Sequence, residues 1–163
     1  MIEEGMENRY VRHQVCARAF YDAFEAMGLQ LFGEPKARSN TVVSIAYPEG
    51  LDDKEFRGSL SKNYGVVVAG GFGDYAGKIF RVGSLGMINE YYVLTTISSI
   101  ANNLNRLGFK ANTDAAIDAA LKNLSKLSIS FVLLHLFLLN NLLFQVLPMT
   151  SILYLIRVSF LPL

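Results

Sequence analysis

Apolar positions recur at helical spacing from about Glu3 to Met27, where Cys16, Phe20, Ala23, Phe24 and Met27 share one side and Arg18, Asp22 and Glu25 the other. That period predicts a long amphipathic helix, stopped at Gly28. The period then changes. Residues 41–47 are rich in β-branched side chains and are closed by Pro48, which disfavours further pairing, so a strand is predicted there. Asp52, followed three positions later by Glu55, opens a short helix to about Asn63, after which Gly65 releases the chain.

Residues 65–69 read as a strand, 70–77 as a loop and 78–82 as another strand. Seven of the thirteen glycines fall between positions 65 and 86. Asn89 caps a helix that keeps Val93, Ile97, Ile100, Ala101 and Leu104 on one face and ends near Gly108. Thr113 caps a last one, with Ile117, Ala120, Leu121 and Leu124 inside. The order helix, strand, helix, strand, strand, helix, helix predicts an α/β (α+β-like) fold, a small sheet covered by helices on one face.

The pattern stops near Lys126. All fourteen acidic residues and fourteen of the fifteen basic ones lie in 1–126, and 127–163 carries a single charge, Arg157, with thirteen Leu and neither Gly nor Ala. The chain therefore divides into a domain, 1–126, and an apolar tail, 127–163. The uncharged run 127–156 exceeds the roughly twenty residues that span a bilayer, so its literal reading is a transmembrane helix. Asn140, Asn141, Gln145 and Pro148 interrupt it, and a makeup of Leu, Phe, Ile, Met and Val is what thymine-rich DNA encodes. A read-through or out-of-frame extension is the favoured expectation.

Charge and cysteine usage narrow the function. A formal charge of +1 leaves no basic surplus to neutralise a phosphate backbone, which argues against nucleic acid. One cysteine and two histidines cannot fill a four-ligand zinc site, and a lone Cys16 fits a reducing, cytoplasmic compartment. The acidic start Met1–Gly5, with no apolar run behind it, does not read as a secretory signal.

Candidate chemistry is sparse. Residues 71–77 superficially match a glycine-rich phosphate loop, but such a loop opens a helix, and here a strand pattern follows. Arg81 stands inside an apolar strand beside the glycines of 83–86. Spacing fits both a surface arginine on a half-buried strand and a guanidinium fork for a carboxylate. His13 reads as a solvated helical residue, Cys16 as core, and Tyr75 and Lys78 as solvated loop residues that flank the glycines.

Four segments, 4–13, 37–43, 65–73 and 77–86, together resemble the C-terminal region of class V pyridoxal-phosphate aminotransferases, the serine–pyruvate and alanine–glyoxylate group. The resemblance covers 1–126, about the last third of such an enzyme. It implies the C-terminal small domain of a fold-type I aminotransferase, acting on small amino and keto acids of the serine, alanine, glyoxylate and pyruvate class. By position Arg81 takes the role of the arginine that binds the substrate α-carboxylate. Where the family often has a histidine or another residue before the second part of the 77–86 motif, this chain has Ser84. The family's Schiff-base lysine, the aspartate facing the pyridinium nitrogen and the phosphate-binding residues belong to the preceding large domain. No lysine of this chain sits in a matching motif, so the resemblance assigns it no catalytic and no cofactor-binding residue. It implies a fragment inactive without a large domain or homodimer partner. The alternative expectation is a non-catalytic α/β module anchored to a membrane by 127–156.

Overall fold

The computed structural model describes residues 4–127 of the 163-residue chain. Helix α1 (Met6–Met27) ends where the sequence places its stop. Gly28 adopts φ 95°, a left-handed conformation open to glycine, and the N–H groups of Gly28 and Leu29 return to the carbonyls of Glu25 and Phe24 at 3.0 and 2.9 Å. Strand β1 (Val42–Ala46) follows, then α2 (Asp53–Tyr64), whose first turn is capped by the Asp52 carboxylate accepting from the Glu55 N–H at 2.8 Å. Strands β2 (Ala69–Gly70) and β3 (Ile79–Gly83) flank the glycine loop, which contains one 3₁₀ turn at Gly73–Tyr75. Helix α3 (Glu90–Arg106) starts on the Asn89 side chain, which accepts from the Tyr92 N–H, and a fourth helix, α4, covers 113–127.

Two boundaries differ from expectation. The strand predicted over 65–69 shrinks to Ala69 and Gly70, because β3 pairs with those two residues alone. β-Branched side chains favour a pleated surface only where a neighbouring strand supplies one, and Val67 is left 81% exposed. The cap of α4 is Asn112, not Thr113: the Asn112 side chain accepts from the Ala115 N–H at 3.1 Å.

The three strands form one antiparallel sheet in the order β1-β3-β2. Alternation along β3 sends Phe80 and Val82 to the face where Ile45 and Val43 stand opposite them, all buried. The helices cover that face. Phe80 meets Phe24 edge-on at 6.2 Å and Phe56 at 5.0 Å, and Phe20 stacks on Phe24 at 5.8 Å. Burying one such ring contributes about 1.5–3 kcal/mol.

Polar links tie the helices to one another. The buried Asn103 of α3 donates to the Phe56 carbonyl at 3.0 Å and accepts from the Ser59 hydroxyl at 2.9 Å. Asn123 of α4 donates to Asp22 of α1 at 2.9 Å. The outer side of β1 is closed by residues 30–32, with a bridge between Leu31 and Ile45 and hydrogen bonds from Phe32 to Ser44 and from Ala46 to Gln30, both 2.9 Å. Among the described residues no helix is long and apolar enough to cross a membrane. The tail expectations fall on 127–163, which apart from Leu127 lies outside the described residues.

Candidate functional site

On the sheet face away from the helices, the cross-strand neighbours of Arg81 are short, while Ile79 and Val42 stand further along the same face. In the register, Ser44 and Ala69 stand on either side of Arg81, and Val42 faces Gly83. Arg81 thus rises from the central strand, fixed on both edges by ladder hydrogen bonds, between a serine and an alanine across the sheet. It is half-buried, and its Nε–H donates to the Gly70 carbonyl at 2.9 Å. The ring of Phe72 lies under the guanidinium, 5.0 Å from its carbon, a cation–π placement. Phe32 and Tyr75 meet edge-on at 4.9 Å, and the Phe32 N–H bonds to Ser44, the cross-strand neighbour of Arg81.

Like Arg9 and Arg106, which stand on helices, Arg81 has no ion-pair partner among the described residues, and of these three it alone stands on the sheet. Arg12 pairs with Glu4, Arg18 with Asp22, Arg38 with Glu25 and Arg57 with Asp53. Among the described residues no carboxylate stands within ion-pair distance of Arg81. With Nε committed to Gly70, the two Nη groups remain to donate end-on. A guanidinium presenting two parallel donors matches a carboxylate in geometry and charge.

Two nearby features shape the surroundings. Asp53 accepts from the Tyr47 hydroxyl at 2.7 Å and from Arg57 Nε at 2.9 Å. The Arg57 guanidinium holds the Asp53 carboxyl below the usual carboxylate range, while burial, aided by Asp53, pushes the Tyr47 hydroxyl up. A separate cleft of about 390 Å³ lies between α1, the 35–40 segment and α4, with Arg18 and Arg38 in its lining. Both arginines are already paired at 3.1 Å, so this cleft offers an anion less than Arg81 does.

The other residues singled out in the sequence are dispersed. His13 is buried, not solvated, at 8% exposure, with Nδ1 2.8 Å from the Arg9 carbonyl. Helix α1 buries His13 and Ala17 as well as the stripe through Cys16, Phe20 and Met27, so its polar side is narrower than the helical spacing of its apolar residues suggests. Cys16 is fully buried, and desolvation raises its thiol to about 11. Tyr75 and Lys78 are exposed. The glycine loop runs into β3, so no helix N-terminus stands at its end to hold a phosphate. Ser84, directly after β3, is fully buried, and its hydroxyl has no hydrogen-bond partner among the described residues.

A lysine that holds an aldehyde cofactor is desolvated, so that its amine is neutral and nucleophilic. Each of the seven lysines of this chain is solvent-exposed. The described residues therefore do not fit pyridoxal phosphate as a covalently held group. The residues that sequence reasoning missed are Gly70, whose carbonyl orients Arg81, and Phe72, which supports it. Phe72 lies in a segment that carries the resemblance, but a backbone carbonyl leaves no mark in a sequence.

No family model matches the chain. Among curated relatives, an uncharacterized aminotransferase of Methanocaldococcus jannaschii is 45% identical over 126 residues, which is 77% of this chain and 32% of the relative. A serine–glyoxylate aminotransferase of Methylorubrum extorquens is 34% identical over 121 residues, 74% of this chain and 30% of the relative. The crystal structure of the ureidoglycine–glyoxylate aminotransferase of Bacillus subtilis superposes with a TM-score of 0.72 at 32% identity, covering 75% of this chain and 32% of that one. The chain spans about a third of the length of the curated relatives it matches.

Proposed function

Because the homologues of this chain are class V-type aminotransferases that share its fold, we propose that residues 1–126 are the C-terminal, substrate-binding domain of a pyridoxal-phosphate-dependent transaminase acting on small amino and keto acids. The observation that carries this reading is Arg81, an arginine with no counter-ion among the described residues, oriented by Gly70 and flanked across the sheet by the short side chains of Ser44 and Ala69. In this role its two Nη groups receive the α-carboxylate that every amino and keto acid shares. Orientation is the contribution of such a clamp, and it matters because proton transfer at the α-carbon needs the substrate held in one pose.

The cofactor, when bound in the whole enzyme, supplies electron withdrawal from that carbon. The lysine that holds it comes from a large domain, on the same polypeptide or on a homodimer partner, in a cytoplasmic enzyme. Residues 1–163 alone bind without turning over. The tail 127–163 is an extension outside the domain. A module anchored to a membrane by 127–156 is the competing reading, and it leaves the similarity to aminotransferases without a cause.

The test is a chimaera in which residues 1–126 replace the matching third of the Methanocaldococcus jannaschii aminotransferase, assayed with alanine or serine and glyoxylate or pyruvate in the presence of pyridoxal phosphate. Transamination that is lost on Arg81→Lys, chiefly through a higher KM, supports the reading. A folded, cofactor-loaded chimaera indifferent to that substitution removes Arg81 from the site.

A further inference from the structure

Arg81 is oriented by a strand too short to hold itself. β2 brings only Ala69 and Gly70 to the sheet, and a two-residue edge strand opens readily unless something outside the ladder fixes it. What stands against it is the ionic cluster at the start of α2, where Asp53 receives the Tyr47 hydroxyl and the Arg57 guanidinium. A Cβ on Gly70 would lie 3.1 Å from Asp53 Oδ1 and 3.3 Å from Arg57 Nε, so the cluster closes over Gly70 on the side where any other residue would carry a side chain. The carbonyl of that same residue accepts the Arg81 Nε–H at 2.9 Å.

Building on the reading of Arg81 as the carboxylate clamp, we propose that Asp53 is a positioning residue for Arg81, acting through the backbone of Gly70. The cluster is suited to this. Asp53 and Arg57 neutralise each other, so neither competes with Arg81 for an anion, and α2 gives both a rigid base one helical turn apart. With Asp53 in place the Gly70 carbonyl is held and the Arg81 fork points one way. Without it β2 loosens, the Nε–H is released, and the fork meets a carboxylate with one donor more often than with two.

The experiment reads the Arg81 Nε–H directly, by ¹H–¹⁵N NMR of the full-length chain, with the resonance assigned by its loss in Arg81→Lys and pyruvate titrated into the same samples. In Asp53→Asn the exchange of this proton with water accelerates by about tenfold, the signature of local opening, and the response to pyruvate weakens. An unchanged exchange rate in folded Asp53→Asn overturns the positioning role whatever pyruvate does. Faster exchange in a chain whose wild type ignores pyruvate supports the positioning role and refutes the clamp reading instead. Should Asp53→Asn fail to fold, Tyr47→Phe removes one of the bonds to Asp53 and keeps the ring, and the same two outcomes apply.

Discussion

The backbone of Gly71 passes so close to Tyr75 that a Cβ on the glycine would stand 2.0 Å from the Tyr75 carbonyl oxygen. The contact closes the loop between β2 and β3, and the Gly71 N–H completes it by bonding to the Ile79 carbonyl at 2.9 Å. Because the obstacle is backbone, it cannot swing aside. Gly71→Ala is expected to destabilise the chain by about 3 kcal/mol, the upper range for overpacking. Gly58 supplies the contrast. It lies exposed inside α2 with open space where a Cβ would go, so Gly58→Ala is expected to stabilise by about 0.5–1 kcal/mol through helix propensity. Urea unfolding of the pair checks both signs, and equal effects would refute the steric argument.

Asn103 is the polar joint between α3 and α2. Asn103→Ala removes a donor from the Phe56 carbonyl and an acceptor from Ser59 at a fully buried position, which is expected to cost about 1–3 kcal/mol. Ser59→Ala should cost less, since Asn103 keeps its bond to Phe56. Thermal melting of the two variants and their double mutant measures the coupling, and simple additivity would show that the two side chains do not act together.

Ser84 runs the other way. Its hydroxyl is buried without a partner among the described residues, so Ser84→Ala removes a desolvated polar group and is expected to raise stability by about 1 kcal/mol. A fall in melting temperature would mean that the hydroxyl is bonded in solution.

Cys16 makes stability depend on alkaline pH. Its folded thiol ionises at about 11 because burial disfavours the thiolate, whereas an unfolded cysteine ionises near about 8.5. A folded value above the unfolded one means that the contribution is fully present below the unfolded value and is lost as pH rises toward the folded one. Stability of the wild type should therefore fall relative to Cys16→Ala between those limits, measured by urea titration at a series of pH values. As the chain's one cysteine, Cys16 should also react with a thiol reagent only at the rate of unfolding, and prompt labelling of native protein would contradict its burial.

The helices were readable because their signals are local. Asp52 and Asn89 announce helix starts, and Gly28 and Gly65 announce ends, within a few residues of the structure they dictate. What could not be read depends on partners distant in the chain. Val66–Val68 carry a strand's composition, yet only Ala69 and Gly70 pair with β3, although β3 itself continues to Gly83. His13 looks solvated by its neighbours in sequence, but its burial is set by what packs on α1. The site divides in the same way. Arg81 stands out as a charge in an apolar strand, whereas its orientation comes from a carbonyl eleven residues earlier and a carboxylate on another element.

The borders of the sheet limit how this domain can meet other proteins. β1 is closed along its outer side by residues 30–32, and β2 offers a border only two residues long. A sheet that exposes a long unpaired border invites strand addition and fibrillar stacking; this one has almost none to give. Among the described residues the sheet therefore offers a partner side chains more than backbone, and Arg81, on the central strand between β1 and β2, projects from a ladder paired on both of its sides.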